Sequence, residues 1–261
     1  MQIFLPPSEG KTAVEAGEKL DLTRLSFAGL EKPRSQVIVD LERLCQGDPQ
    51  RALAALKLSA RQEDQIALNA SLTSAPAAEA WQVYSGVLYQ QCDIAAMPPE
   101  VRDAAHERLV IFSGLWGILR TNDRIPAYRC SAATVLPNLS AGKLSTVGAF
   151  WRKHLKTYLR EAIGDEFILD MRSGPYAKMW QPDGDHATVR VLQERVVNGR
   201  TERSVVSHFN KATKGRIVAD LLAADAQPGS MRAAVDALRD LKYRVEADEQ
   251  ARRLDIVVDE P

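Results

Sequence analysis

The chain is poor in the residues that build metal or disulfide chemistry. Its 261 residues include three cysteines, Cys45, Cys92 and Cys130, and four histidines, His106, His154, His186 and His208. The cysteines are odd in number and far apart, which argues against a disulfide framework and suits a reducing compartment. No histidine is spaced as a metal-ligand pair or sits beside a cysteine, so the sequence predicts no metal and no cofactor. Asp183, Asp185 and His186 read as a solvated turn. No stretch approaches the ~20 apolar residues of a membrane helix, and the N-terminal QIFL has no basic leader ahead of it. The expectation is a cytoplasmic protein with no membrane partner. Neither sign of charge is in excess, since 34 Lys and Arg face 34 Asp and Glu. That excludes a general polybasic binder of polyanions and leaves local patches open.

Two enzyme signatures are also missing. Gly10-Lys11-Thr12 ends like a phosphate-binding P-loop, but the first glycine of that motif falls on Leu5, and Pro6 and Pro7 stand where backbone N–H groups should cradle phosphate. Lys11 can still offer an ammonium to an anion. There is no Gly-x-Ser-x-Gly elbow, so Ser173 and nearby Lys178 are read as anion contacts ahead of a nucleophile and base.

What is present describes an ordinary globular chain, 45% apolar and 26% charged, long enough to bury a substantial core. The pattern predicts one mixed α/β domain over residues 1–261, a mixed sheet flanked by helices. Strands are expected at the N-terminus, at 109–112 and 167–171, in a hairpin of 188–197 with 204–209 turned at Asn198–Gly199, and near 241–246 and 253–258. Helices are expected over 33–46, 49–58, from Ser59, from Pro76 to Gly86, after Pro99, over 148–163, 210–224 and 230–240. In 148–163, Trp151, Leu155, Tyr158 and Ala162 form one apolar stripe, and Arg152, Lys156 and Arg160 form a basic ridge.

Charge is uneven along the chain. Residues 143–160, which include Lys143, carry +5, residues 194–216 carry +4, residues 108–129 carry +3, and residues 220–261 carry −4. If the basic segments meet, they make a positive cleft on a neutral protein; alternatively they are merely solvated or pair with the acidic tail. Three segments bear anion-seeking patterns. SGLWGILR (113–120), followed by AYR (127–129), joins a Gly114-x-x-Gly117 turn to Arg120, Tyr128 and Arg129. The loop after FILDM crowds Asp170, Arg172, Ser173, Tyr176 and Lys178 behind a strand end. NKATKGR (210–216) places Lys211, Lys214 and Gly215 on the first turns of a helix.

Taken in order, PPSEGKT, VYSGVLY (83–89), SGLWGILR with AYR, FW (150–151), D-M-R-S-x-x-Y with Lys178, and S-H-x-x-K-x-x-K-G (207–215) resemble the YaaA-type peroxide stress-resistance proteins, from Ile3 to about Leu222. The resemblance implies a cytoplasmic bacterial protein that limits peroxide damage, in part by lowering available iron. It implies a mixed α/β fold whose positive cleft binds DNA, without sequence specificity, through a helix-hairpin-helix-like element. By position, Lys11, Arg120, Tyr128, Arg129, Trp151, Ser173, Tyr176, Lys178, Lys211 and Lys214 inherit the DNA- or anion-binding role; Arg152 and Gly215 join them from the basic ridge and the helix start. The family pattern continues Tyr-Arg with Leu-Ser-Met-Gly, whereas here Arg129 is followed by Cys-Ser-Ala-Ala. The rival expectation is an enzyme acting on a nucleotide or another phosphorylated small molecule in the same pocket. The shape of the cavity separates the two.

Overall fold

The computed structural model describes residues 1–139, 145–197 and 200–259. Lys143 and the expected turn at Asn198–Gly199 lie outside them. The sheet is built from β1 (Gln2–Leu5), β2 (Leu109–Ser113), β3 (Gly117–Leu119), β4 (Ile168–Asp170), β5 (His186–Val197), β6 (Arg200–Ser204), β7 (Arg244–Asp248) and β8 (Arg253–Asp259). Their order is β7-β8-β5-β4-β1-β2-β3, with β6 paired to β5. The five inner strands are parallel, and β3, β6 and β7 pair antiparallel. A parallel sheet is covered on both faces, which explains why β1, β2 and β4 are buried at every residue.

The flanking helices include α1 (Glu31–Cys45), α2 (Pro49–Leu56), α3 (Val87–Cys92), α4 (Pro99–Arg108), α5 (Val147–Ile163), α6 (Ser207–Ala223) and α7 (Met231–Asp240). Local chemistry sets several of their starts. Asp48 accepts the Gln50 N–H at 2.9 Å, with Pro49 at the first helical position. Thr146 accepts the Ala149 N–H at 3.2 Å and opens α5. The α5 stripe differs from expectation after two turns: Trp151, Leu155, Leu159 and Ile163 are buried, Tyr158 is half-buried beside Gly29, and Ala162 is exposed. Among the described residues, no helix is long and apolar enough to cross a membrane.

Three expectations are corrected. The second hairpin strand expected over 204–209 is β6 at Arg200–Ser204, and α6 already begins at Ser207. The helix expected from Pro76 to Gly86 is a two-residue strand, Ala78–Glu79, a single turn, Ala80–Val83, and a new helix, α3, after Gly86. Cross-chain bonds interrupt it: Thr12 N–H donates to the Val83 carbonyl at 2.8 Å and Ser85 N–H to the Gly10 carbonyl at 3.2 Å. The glycine segment at 113–117 joins strands, not helices. Ser113 pairs with Gly117 in the β2–β3 hairpin, and Leu115 and Trp116 are fully buried. Gly117 holds φ +74° under the Trp151 ring, a backbone region that favours glycine. Buried Arg34 of α1 ties this hairpin down, donating to the Trp116 carbonyl at 3.1 Å and the Ile118 carbonyl at 2.7 Å.

Gly215 also has a packing role. Helix α6 crosses α3 there, and a Cβ would collide with the Leu88 carbonyl oxygen. Gly215→Ala is therefore expected to destabilise the fold by about 1–3 kcal/mol despite alanine's better helix propensity. Urea unfolding that gives an unchanged or raised midpoint would refute this packing role.

Candidate functional site

Parallel pairing brings the carboxyl ends of β1, β2, β4 and β5 to one edge of the sheet, where ligands collect in such folds. Six segments line a cavity of about 540 Å³ at that edge: Pro6–Lys11 after β1, Gly86–Tyr89 at the start of α3, Tyr128–Ser131, Met171–Tyr176 after β4, Val189–Arg190 of β5, and the first turns of α6. This lies within the roughly 300–1,000 Å³ of small-molecule sites.

Lys11 is partly buried. Its Nζ donates to the Ser8 carbonyl at 2.7 Å and lies 4.2 Å from the centre of the Tyr128 ring. The ring face favours the ammonium, but burial, and after it the Arg129 charge, bring the Lys11 pKa down to about 7. Arg129 reaches the rim, where its guanidinium meets the Glu9 carbonyl at 3.2 Å and the Glu9 carboxylate at 3.6 Å. Its backbone is fixed by fully buried Asn69, which accepts the Arg129 N–H at 2.8 Å and donates to its carbonyl at 2.7 Å.

A chain of hydroxyls backs this wall. Ser113 Oγ accepts the N–H groups of Leu115 and Trp116, both at 3.1 Å. Its own proton is therefore directed to the Tyr128 hydroxyl at 2.7 Å, and the Tyr128 and Tyr84 hydroxyls share a further hydrogen bond at 2.8 Å. Burial holds both phenols above their ordinary value, so each is a neutral donor. Tyr176 also lines the cavity, and burial pushes its phenol up to about 12.

On the opposite wall, buried Lys214 of α6 donates from Nζ to the Met171 carbonyl at 3.1 Å. Burial lowers its pKa to about 8, against the opposing pull of Asp170. Lys211 is exposed at the mouth. Two other cations are neutralised in place. Arg172 grips Asp170 through two bonds of 2.9 and 2.6 Å, and Arg190 grips Asp255 through bonds of 2.7 and 2.6 Å. Glu9, 86% exposed, is the carboxylate among the lining residues. Ser8 Oγ and Asn210 Oδ1 are buried, line the cavity and have no hydrogen-bond partner among the described residues.

Of the residues predicted from sequence, Lys11, Tyr128, Arg129, Ser173, Tyr176, Lys211 and Lys214 line this cavity. The others lie elsewhere. Arg120 sits at the opposite edge of the sheet, donating to Gln2 Oε1 at 2.7 Å at the start of β1 and to the Leu109 carbonyl at 3.3 Å. Trp151 is fully buried, its indole N–H bonded to the Gly114 carbonyl at 2.7 Å. Arg152 and Lys178 are exposed outside the cavity lining, and Gly215 packs on α3. Sequence reading missed Asn69, Ser113 and Tyr84, which act through backbone and hydroxyl contacts and leave no spacing signal. The basic segments divide: Arg203 meets Glu246 at 2.8 Å and Arg108 meets Asp225 at 3.4 Å in the acidic tail, Arg203 also meets Glu194 at 2.7 Å and Arg160 meets Asp183 at 2.8 Å, and Arg152, Lys153 and Lys156 are exposed.

The family model described as "Peroxide stress protein YaaA" matches residues 1–249. This chain belongs to the peroxide stress protein YaaA family. It is similar to a UPF0246 protein of Streptomyces coelicolor, 44% identical over 265 residues that cover 100% of this chain and 99% of that one. A UPF0246 protein of Corynebacterium efficiens is 39% identical over 251 residues, covering 95% of this chain and 96% of its own.

Membership of a YaaA peroxide stress family raises the question of a reactive thiol. Burial pushes the Cys45 thiol up to about 11 and those of Cys92 and Cys130 up to about 12. A thiol that reacts readily with peroxide has the opposite shift, so burial disfavours the reactive thiolate at all three cysteines. Among the described residues, no cluster of three His, Cys, Asp or Glu side chains is placed to hold a metal ion.

Lys11 gives this site a pH signature. The native state releases its proton near pH 7 and the unfolded chain near 10.5. Between those values the native state binds fewer protons, so the contribution of this group to stability rises with pH. Lys11→Met removes the cost of the buried ammonium. Its Tm should exceed that of wild type by more at about pH 6 than at about pH 9.5. Calorimetric scans showing the same gap at both pH values would refute the assignment.

Proposed function

We propose that this protein binds a phosphorylated small molecule of nucleotide size in the cavity at the carboxyl edge of its sheet, and that its part in peroxide stress is exerted through that ligand. One observation carries the reading. Lys11, Arg129, Lys211 and Lys214 come from three separate segments to one partly open cavity of about 540 Å³, whose lining among the described residues holds one carboxylate, the exposed Glu9. The ammonium groups of Lys11 and Lys214 bond to main-chain carbonyls, and their desolvated charge is relieved by an anion. Ser8 and Asn210 add polar contacts for the uncharged part of such a ligand.

A nucleic-acid partner, expected from the family resemblance, would use the same phosphate contacts. The small ligand is favoured because the cations gathered from separate segments line a cavity of about 540 Å³, within the range of small-molecule sites. Outside it Arg203 and Arg160 face carboxylates, whereas Arg152, Lys153 and Lys156 stand exposed on α5 and are the charge a polynucleotide backbone would use. Lowered iron, also implied by the resemblance, would follow indirectly from ligand binding.

Isothermal titration with ADP and with orthophosphate tests this reading. Arg129→Ala should weaken ADP binding by about tenfold, the worth of one charge-assisted hydrogen bond, and rising salt should weaken it further. Affinity unchanged by Arg129→Ala, or tight duplex DNA binding that ADP does not compete with, would replace this reading with the polynucleotide one.

A further inference from the structure

The cations of the cavity are of two kinds. Arg129 brings a planar guanidinium to the rim, and Lys211 stands in water at the mouth. Lys11 differs in its surroundings. Among the described residues its ammonium has one hydrogen-bond acceptor, the Ser8 carbonyl at 2.7 Å. The nearest carboxylate, Glu9, leans to Arg129 at 3.6 Å. The backbone of Lys11 is pinned through its bridge to Tyr84 and the Thr12–Val83 hydrogen bond. The groups that face it are Arg129, Glu9, the Cys130 thiol, and the rings of Tyr84 and Tyr128 at 5.5 and 4.2 Å. A desolvated lysine beside a second cation is a poor countercharge and a good source of free amine.

We propose that Lys11 is a nucleophilic amine that forms a reversible imine with a phosphorylated aldehyde or ketone, whose phosphate is held by Arg129 and Lys211. This rests on the anion-binding reading of the cavity and narrows its ligand to a carbonyl compound. The neutral Nζ attacks the carbonyl carbon, a C–N bond forms, and the C–O π pair takes a proton from solvent. The resulting carbinolamine gives its nitrogen proton to solvent and expels water, leaving a C=N bond with no change of oxidation state. Lys214 is the lesser nucleophile, because the neighbouring Asp170 carboxylate favours its charged form. The buried Cys130 thiol does not compete for the carbonyl.

The test incubates the full-length protein with glyceraldehyde 3-phosphate and cyanoborohydride, which reduces an imine to a stable secondary amine, and maps the adduct by peptide mass spectrometry. Exposed Lys32 and Lys57 serve as internal references. The Lys11 peptide should be modified at least about tenfold more than either reference, because a larger share of its amine is unprotonated. Orthophosphate should suppress that adduct, and unphosphorylated glyceraldehyde should not reproduce the preference. Lys11→Arg, which keeps the charge, should lose this adduct alone; mapping of the wild type stands even if the variant misfolds. Labelling without preference, or centred on Lys214, overturns the proposal, and a Lys11 preference equal for both aldehydes overturns its phosphate specificity. Calorimetry with orthophosphate on the same protein separates the two readings. Phosphate binding without a Lys11 adduct sinks the imine alone, whereas absence of both sinks the anion site as well.

Discussion

The buried pair of Asp170 and Arg172 sets the floor of the cavity, and parallel strand pairing sets its place. Asp170 is the last residue of β4, in register with Phe4 of β1. Its carboxylate takes the Arg172 guanidinium through two bonds and the Arg172 N–H through a third at 3.0 Å, while that guanidinium lies 4.1 Å over the Phe112 ring of β2. A buried ion pair repays its desolvation only with such geometry. Three adjacent strands thus end on one neutralised cation. The chain turns from there into the Met171–Tyr176 wall, whose Met171 carbonyl receives Lys214.

That neutralisation decides what the site can do. A chain with no net charge still gathers positive potential in one place, because its carboxylates are spent elsewhere. Glu194 and Glu246 take Arg203, Asp255 takes Arg190, and Glu194 also takes Arg244 at 2.7 Å. The acidic C-terminal strands therefore quench the basic strands beside them in the sheet. They do not reach Lys11, Arg129, Lys211 and Lys214, which the loops and α6 carry past the end of the sheet.

The hydroxyl chain gives the cavity a rigid back. With its oxygen occupied by two N–H groups, Ser113 donates to Tyr128, which also bonds the Tyr84 hydroxyl, and this fixes the ring that faces Lys11. The same serine caps the β2–β3 turn that Arg34 clamps. A change in the hairpin would therefore be felt at the lysine, although the glycines of that hairpin do not line the cavity.

Much of this was legible in the sequence. QIFL, LVIF and FILDM announce buried strands because uninterrupted apolar runs are what a parallel sheet requires, and the helix over 148–163 announces itself through an apolar stripe at helical spacing. Lys11, Arg129 and Lys214 were legible as cations near glycine or a strand end. Arg120, Trp151 and Gly215 carried the same local marks, yet they serve the far edge of the sheet, the core and a helix crossing. One-dimensional order contains no term for the edge of the sheet on which a side chain emerges. Sequence alone determined the elements and the supply of cations, since both follow from interactions between near neighbours in the chain. Tertiary structure alone decided which cations are quenched and which are gathered, because charge pairing and desolvation act across strands dozens of residues apart.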